Sequence, residues 1–152
     1  MAVIIRKMTL CEYITAYENY TPAPLCDTPF EFDEEKIKRQ YSFLKNTFGI
    51  FLETEIIGFV TLKPQGDSAC EFGITLLNDS FKNKGYGKTA TEKTMHLLKN
   101  TKIKKVIAKT DTKNTPMQKI FSSLNFKNTK IEKTVALPSC EIRELLVFEK
   151  EL

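Results

Sequence analysis

The sequence lacks tryptophan, has a single histidine and contains no Cys-x-x-Cys pair. Zinc sites draw on closely spaced cysteines and histidines, so this composition argues against a bound metal. The four cysteines, Cys11, Cys26, Cys70 and Cys140, are widely separated. We interpret them as reduced side chains that are buried as small hydrophobes.

Long apolar runs and strong charge are also missing. No run approaches the roughly 20 apolar residues of a membrane-spanning helix, and the N-terminal residues become polar too early for a secretory signal. The net charge of +4 suits an anionic ligand, whereas nucleic-acid binding calls for a denser basic stripe. The sequence predicts a soluble, cytoplasmic protein without membrane or nucleic-acid partners, and its 152 residues fit one domain.

The spacing of apolar residues predicts both strands and helices. Strands are expected at residues 3–5, 48–52, 56–62, 71–77, 105–110, 126–135 and 141–149. A capping box at Thr9 and Glu12 predicts a helix to about Asn19. Further helices are expected after Asp33, over residues 85–100 and after Thr115, with a loop at 21–30 and a turn at 64–67.

The order of these elements predicts an α+β fold. Adjacent hairpins imply antiparallel pairing, and the strand–helix–strand unit over residues 71–110 implies one parallel crossover. We therefore expect a mixed, mostly antiparallel, twisted sheet of six to seven strands with helices on both faces.

One segment, Lys82-Asn83-Lys84-Gly85-Tyr86-Gly87-Lys88, joins a predicted strand to a predicted helix. Glycines allow positive φ and close approach of a ligand to the backbone. The first turn of a helix has unpaired N–H groups and partial positive charge, so such a turn binds phosphate or pyrophosphate. The pattern predicts an anion site.

Other interpretations of this segment stay open on the pattern alone. Gly87-Lys88-Thr89 matches the end of a P-loop, but Lys82 stands where the leading glycine belongs. A Rossmann fingerprint needs three glycines, and the segment has two. An ordinary strand-to-helix turn with solvated lysines also fits.

The same segment resembles the (Arg/Gln)-x-x-Gly-x-(Gly/Ala) motif of the GNAT N-acetyltransferase superfamily. Gly85 and Gly87 match, and Lys82 replaces the usual Arg or Gln. Residues 85–92 are similar to the branch that contains ribosomal-protein N-terminal acetyltransferases. The resemblance implies the GNAT fold and acetyl-CoA as co-substrate. It implies that the loop amides hold the pyrophosphate and that the strand at 71–77, including Thr75, Leu76 and Leu77, pairs with the pantetheine arm.

A second motif supports the resemblance. Asn114-Thr115-Pro116-Met117 and Leu124-Asn125-Phe126 resemble the family's Asn-x-x-(Ser/Ala)…Leu-Gly-Phe pattern, with Met117 for the small residue and Asn125 for glycine. Ile57-Gly58-Phe59-Val60 is typical of the family's third strand. The resemblance implies that Asn114 hydrogen-bonds the cofactor, and helix N-capping is the alternative role.

Acetyl transfer needs a base, stabilisation of an oxyanion and a proton for the leaving thiolate. The resemblance implies Glu71 as the base, with a solvated carboxylate as the alternative. N–H groups near Leu76 and Leu77 are expected to polarise the thioester carbonyl. Phe121 replaces the tyrosine acid of many members, and it either packs against the pantetheine arm or belongs to the core.

The resemblance implies an acetyl-CoA-dependent N-acetyltransferase that acetylates a primary amine, on a protein N-terminus or a small molecule, by direct attack. A non-catalytic acyl-CoA-binding domain is the alternative, because phenylalanine cannot donate a proton. The resemblance leaves the acceptor open, and a homodimer is common in the family.

Overall fold

The computed structural model describes residues 2–22, 30–136 and 140–152. Most of the expected loop at 21–30, including Cys26, lies outside the described residues. The strands are β1 (Val3–Arg6), β2 (Thr47–Leu52), β3 (Glu55–Gln65), β4 (Ala69–Leu76), β5 (Lys105–Asp111), β6 (Lys127–Ala136) and β7 (Glu141–Glu151). The α-helices are α1 (Leu10–Glu18), α2 (Glu34–Ser42), α3 (Tyr86–Leu98) and α4 (Thr115–Ser123).

The strands form one sheet in the order β1-β2-β3-β4-β5-β7-β6. Neighbouring strands are antiparallel except for β4 and β5, which are parallel. The helix α3 connects these two strands, as the chain order requires for a parallel crossover. The sheet has seven strands, within the six to seven predicted, and its mixed, mostly antiparallel pairing is confirmed.

Helices cover both faces of the sheet, as predicted. Successive residues of a strand point to opposite faces, and on β2 Ile50 and Phe51 belong to different clusters of buried side chains. The first cluster includes Ala90 and Met95 of α3 and Phe121 of α4. The second contains residues of α1 and α2 together with residues in or next to the strands: Met8, Tyr13, Ala16, Ile37, Phe51, Ile56, Phe59 and Leu77.

Local sequence signals set the helix ends. The Thr9 side chain accepts a hydrogen bond from the Glu12 N–H, and the Glu12 carboxylate accepts one from the Thr9 N–H, which completes the predicted capping box of α1. At the end of α4, Asn125 has a φ of 66°, the left-handed conformation expected of it. The Phe126 N–H then donates to the Phe121 carbonyl and closes the helix.

Two expectations need correction, and one short element was not expected. Pro64 was expected in a turn but lies within β3, where β2 no longer flanks the strand, so its missing N–H costs no hydrogen bond. A short 3-10 helix at Asp79–Phe81 was not expected. Cys70 is buried, which raises the pKa of its thiol, but Cys11 and Cys140 are exposed rather than buried.

Among the described residues, no helix is both long and apolar enough to span a bilayer.

Candidate active site

The parallel strands β4 and β5 separate part-way along their length. Their pairing ends where Phe72 lies opposite Ala108. Beyond that point β4 stays paired with β3 as far as Leu76, and β5 stays paired with β7 as far as Asp111. The two strands therefore continue on either side of a gap in the middle of the sheet.

Backbone groups of β4 face this gap. The Leu77 N–H donates to the Ile57 carbonyl at 2.9 Å, so Leu77 directs its backbone towards β3. Because alternate residues of an antiparallel strand direct both backbone groups to the same side, Ile74 and Leu76 direct theirs towards β5. At the paired end of β4, the Ser68 carbonyl accepts from the Lys104 N–H at 2.7 Å, in agreement with this assignment. Ile74 was not singled out from the sequence.

The loop that follows β4 combines two left-handed residues with a run of free donors. Asn83 has a φ of 61° and Gly85 a φ of 83°. The run is bounded by Lys82, whose N–H donates to Asp79, and Thr89, whose N–H donates to Gly85. Between them, the N–H groups of residues 83–88 have no acceptor among the described residues. Six consecutive donors at a helix N-terminus form an anion cradle.

Charge and packing around this loop favour an anion. Lys84 and Lys88 are exposed, while Lys82 forms a 3.0 Å ion pair with Asp79. A Cβ added at Gly85 would meet nothing within 4 Å, so its positive φ, and not crowding by the protein, favours glycine there. Gly87 is buried, and a Cβ there would lie 3.4 Å from the Ile120 side chain. The partly buried Tyr86 packs against the core.

The carboxylate of Glu71 forms an ion pair instead of standing alone. It lies 3.3 Å from Lys109 Nζ, and the same ammonium lies 3.2 Å from a Glu132 oxygen. Hydrogen bonds to Glu132 and then to Glu71 raise the pKa of Lys109, so this side chain stays charged near neutral pH. Glu71 is paired with Ile107, one residue before the gap opens.

Two other predicted site residues, Thr75 and Leu77, differ in their exposure to solvent. The Thr75 side chain is exposed on the face covered by α1 and α2. Leu77 is 1% exposed, its N–H donates to Ile57 and its carbonyl accepts from Thr21. Both of its backbone groups are thus occupied, which corrects the expectation for the Leu77 N–H. The same expectation for Leu76 stays a prediction.

The acetyltransferase (GNAT) domain family matches residues 5–127 of this chain. The chain belongs to the GNAT acetyltransferase family. Membership makes it an acyltransferase, and the observed sheet and helices are those of the GNAT fold. No curated protein sequence matches the chain significantly.

Solved GNAT-family structures share the fold at low sequence identity. A GNAT-family acetyltransferase of Bacillus anthracis has a TM-score of 0.83 at 21% identity, covering 99% of this chain and 95% of that one. The ribosomal-protein-S5-alanine acetyltransferase of Vibrio fischeri has a TM-score of 0.80 at 16% identity, over 99% and 93%. An acetyltransferase of Salmonella typhimurium, solved with acetyl-CoA, has a TM-score of 0.76 at 15% identity, over 100% and 95%.

In this GNAT protein Phe121 belongs to the core. It is 3% exposed, and its ring centroid lies 5.1 Å from Phe126, 5.3 Å from Phe148 and 6.4 Å from Phe72. Of the two roles expected for Phe121, the structure shows the second, a place in the hydrophobic core. Asn114 caps α4, because its side-chain oxygen accepts from the Met117 N–H at 3.3 Å.

Thr110 was missed by sequence reasoning. It lies on β5 two residues past the end of the β4–β5 pairing and is 7% exposed. Its hydroxyl has no hydrogen-bond partner within the part of the chain that the structure describes. Buried hydroxyls are normally paired, as Thr91 and Thr94 are with carbonyls of α3. A lone threonine in a strand carries no motif, so the signal lies in the structure alone.

Proposed function

We propose that this protein binds acetyl-CoA and transfers the acetyl group to a primary amine. The observation that carries the proposal is the run of six free N–H groups at residues 83–88. A pyrophosphate is doubly charged and accepts several hydrogen bonds, and this loop offers donors, a helix N-terminus and exposed lysines together.

Other residues offer hydrogen-bonding groups to the remaining parts of a CoA molecule. The backbone groups of Ile74 and Leu76 face the gap between β4 and β5, where amides of an extended ligand arm replace the missing strand partner. The Thr110 hydroxyl supplies an unpaired polar group on the other side of the gap. The side-chain NH₂ of Asn114, at the N-terminus of α4, is left for a ligand, because the cap uses only the oxygen.

When bound, acetyl-CoA supplies an activated thioester: the amine nitrogen bonds to its carbonyl carbon, the carbon–sulfur bond breaks, and the proton that the amine loses balances the one that the CoA thiol gains. The protein residues position the amine and hold that proton in transit. We assign Glu71 the role of base, directly or through water, because its carboxylate lies beside the point where the gap opens.

The test compares two glycines by calorimetry with acetyl-CoA. Gly85→Asp adds a negative charge to the anion cradle, and we expect it to abolish binding. Gly66→Asp is the matched control, because Gly66 has a φ of 74° and, like Gly85, no heavy atom within 4 Å of an added Cβ. Both variants place a side chain at a positive φ in open space, so the comparison isolates the effect of the site. Unchanged binding by Gly85→Asp would contradict the proposal.

A second candidate function is a non-catalytic CoA-binding domain. It is favoured by Phe121, whose ring is buried where many family members place a proton donor. This alternative predicts CoA binding without thiol release for every amine offered. Release of free CoA thiol with any amine, measured alongside calorimetry, decides between the two functions.

A further inference from the structure

An aromatic cavity of about 520 Å³ lies between α1, α2 and the strands β2 to β4. Three rings form its wall: Tyr13 and Tyr17 lie 5.0 Å apart, and each lies within 5.8 Å of Phe59. Phe43 lines the same cavity and is 80% exposed. A volume of this size is typical of pockets for small organic ligands.

The floor of the cavity touches the candidate active site. It includes Thr61 and Thr75, on the neighbouring strands β3 and β4. A Cβ built on Gly73 would lie 2.5 Å from Thr61 Oγ1, so this hydroxyl lies directly over Gly73. Gly73 is the first residue of β4 past the end of its pairing with β5. The cavity therefore opens at the edge of the gap assigned to the cofactor arm.

The chemistry of the wall identifies what fits. Aromatic rings bury apolar surface and stack with other rings, and the described lining residues are all aromatic, aliphatic or neutral polar. Hydroxyls at the floor orient one polar group near β4. A flat apolar body carrying one amine matches this arrangement, whereas a polyamine would bring several ammonium groups against uncharged side chains.

We propose that the acceptor is a small arylalkylamine, whose ring lies among Tyr13, Tyr17, Phe43 and Phe59 and whose amine lies near Thr61 and Thr75. This inference rests on the proposed acetyl transfer and specifies its substrate class. The bound ring of such an amine would also cover the exposed side chain of Phe43.

The experiment measures CoA thiol release with 3-phenylpropylamine, n-propylamine and spermidine. Burial of a phenyl ring predicts that kcat/KM for 3-phenylpropylamine exceeds that for n-propylamine by about tenfold or more. Phe43→Ala is expected to raise KM for the aryl amine about fivefold and to leave KM for n-propylamine unchanged. Ile142→Ala, another exposed apolar residue (69% exposed) on β7, is the control and should alter neither.

Equal kcat/KM for the two monoamines, or a preference for spermidine, would overturn the inference. In that case, turnover of n-propylamine leaves the proposed acetyl transfer standing. Acetyl-CoA binding without turnover of any amine would instead favour the non-catalytic alternative and overturn the inference. Failure of the wild-type protein to bind acetyl-CoA in calorimetry would instead remove the proposed function itself, and the inference with it.

Discussion

The Glu71 carboxylate lies 3.3 Å from the ammonium nitrogen of Lys109 on the neighbouring parallel strand. Lys109 contacts Glu132 of β6 at 3.2 Å as well, so one cation joins two carboxylates across the sheet. This arrangement separates two roles for Glu71. If Glu71 is the base, only removal of its own carboxylate should lower kcat. If Glu71 serves only the ion pair with Lys109, removal of either carboxylate should have the same effect on kcat.

We expect Glu71→Gln to lower kcat by about 10²-fold, the low end of the effect of a general base. Glu132→Gln removes the other carboxylate held by Lys109 and should leave kcat near the wild-type value. Steady-state thiol release, with thermal unfolding as a check on folding, measures both variants. Equal losses in the two variants would show that Glu71 serves the ion pair alone.

Thr110→Val should change stability and binding in opposite directions. The hydroxyl of Thr110 is buried without a partner among the described residues, and an unsatisfied buried polar group costs roughly 1–3 kcal/mol. Valine keeps the shape, so we expect the free energy of unfolding to rise by about 1 kcal/mol. Acetyl-CoA affinity should fall about fivefold, the loss of one hydrogen bond.

Thr129→Val is the control for this pair of measurements. Its hydroxyl donates to the Val147 carbonyl at 3.2 Å, so its removal should lower the free energy of unfolding and leave acetyl-CoA affinity unchanged. Denaturant unfolding and calorimetry provide the two readings. If Thr110→Val were destabilising with affinity intact, its hydroxyl would have a structural role instead.

The Arg6–Glu12 pair should make stability depend on acid pH. Two hydrogen bonds from Arg6, at 3.0 and 2.7 Å, and one from the Thr9 N–H lower the pKa of Glu12 from 4.5 to about 2. A lowered pKa means that the folded state favours the carboxylate. The stabilisation is therefore complete above about pH 4.5 and is lost as the pH falls towards about 2.

Glu12→Gln should thus lower the free energy of unfolding near pH 7 by about 0.2–1 kcal/mol, the range of exposed ion pairs. The difference in unfolding free energy between Glu12→Gln and wild type should vanish as the pH falls towards about 2, where Glu12 is protonated. A difference of constant size at all pH values would contradict the assignment.

Local patterns predicted the parts of the structure that local chemistry decides. The capping box at Thr9 and Glu12 and the left-handed Asn125 each depend on a few consecutive residues. The positive φ of Gly85 before α3 was predictable for the same reason, because glycine readily adopts that conformation. These features require no knowledge of which strands are neighbours.

Features that depend on distant neighbours were not predictable. Pro64 signals a turn locally, but β2 ends its pairing before reaching that position and leaves room for a proline in the strand. The unpaired hydroxyl of Thr110 and the pairing of Glu71 with Lys109 arise from the spatial order of β4, β5 and β6. Glu71 and Lys109, for example, are 38 positions apart in the sequence (109 − 71), and no local periodicity predicts such a contact.

Phe121→Tyr tests whether the tyrosine of other family members can be restored. Phe121 is 3% exposed among Phe72, Phe126 and Phe148, so a new hydroxyl there would enter an apolar core. We expect a loss of roughly 1–3 kcal/mol in the free energy of unfolding and no gain in kcat. Phe43→Tyr, at an 80% exposed ring, is the stability control and should stay within about 0.5 kcal/mol of wild type. A rise in kcat for Phe121→Tyr would mean that the hydroxyl reaches the gap between β4 and β5, and the core assignment of this position would then be wrong.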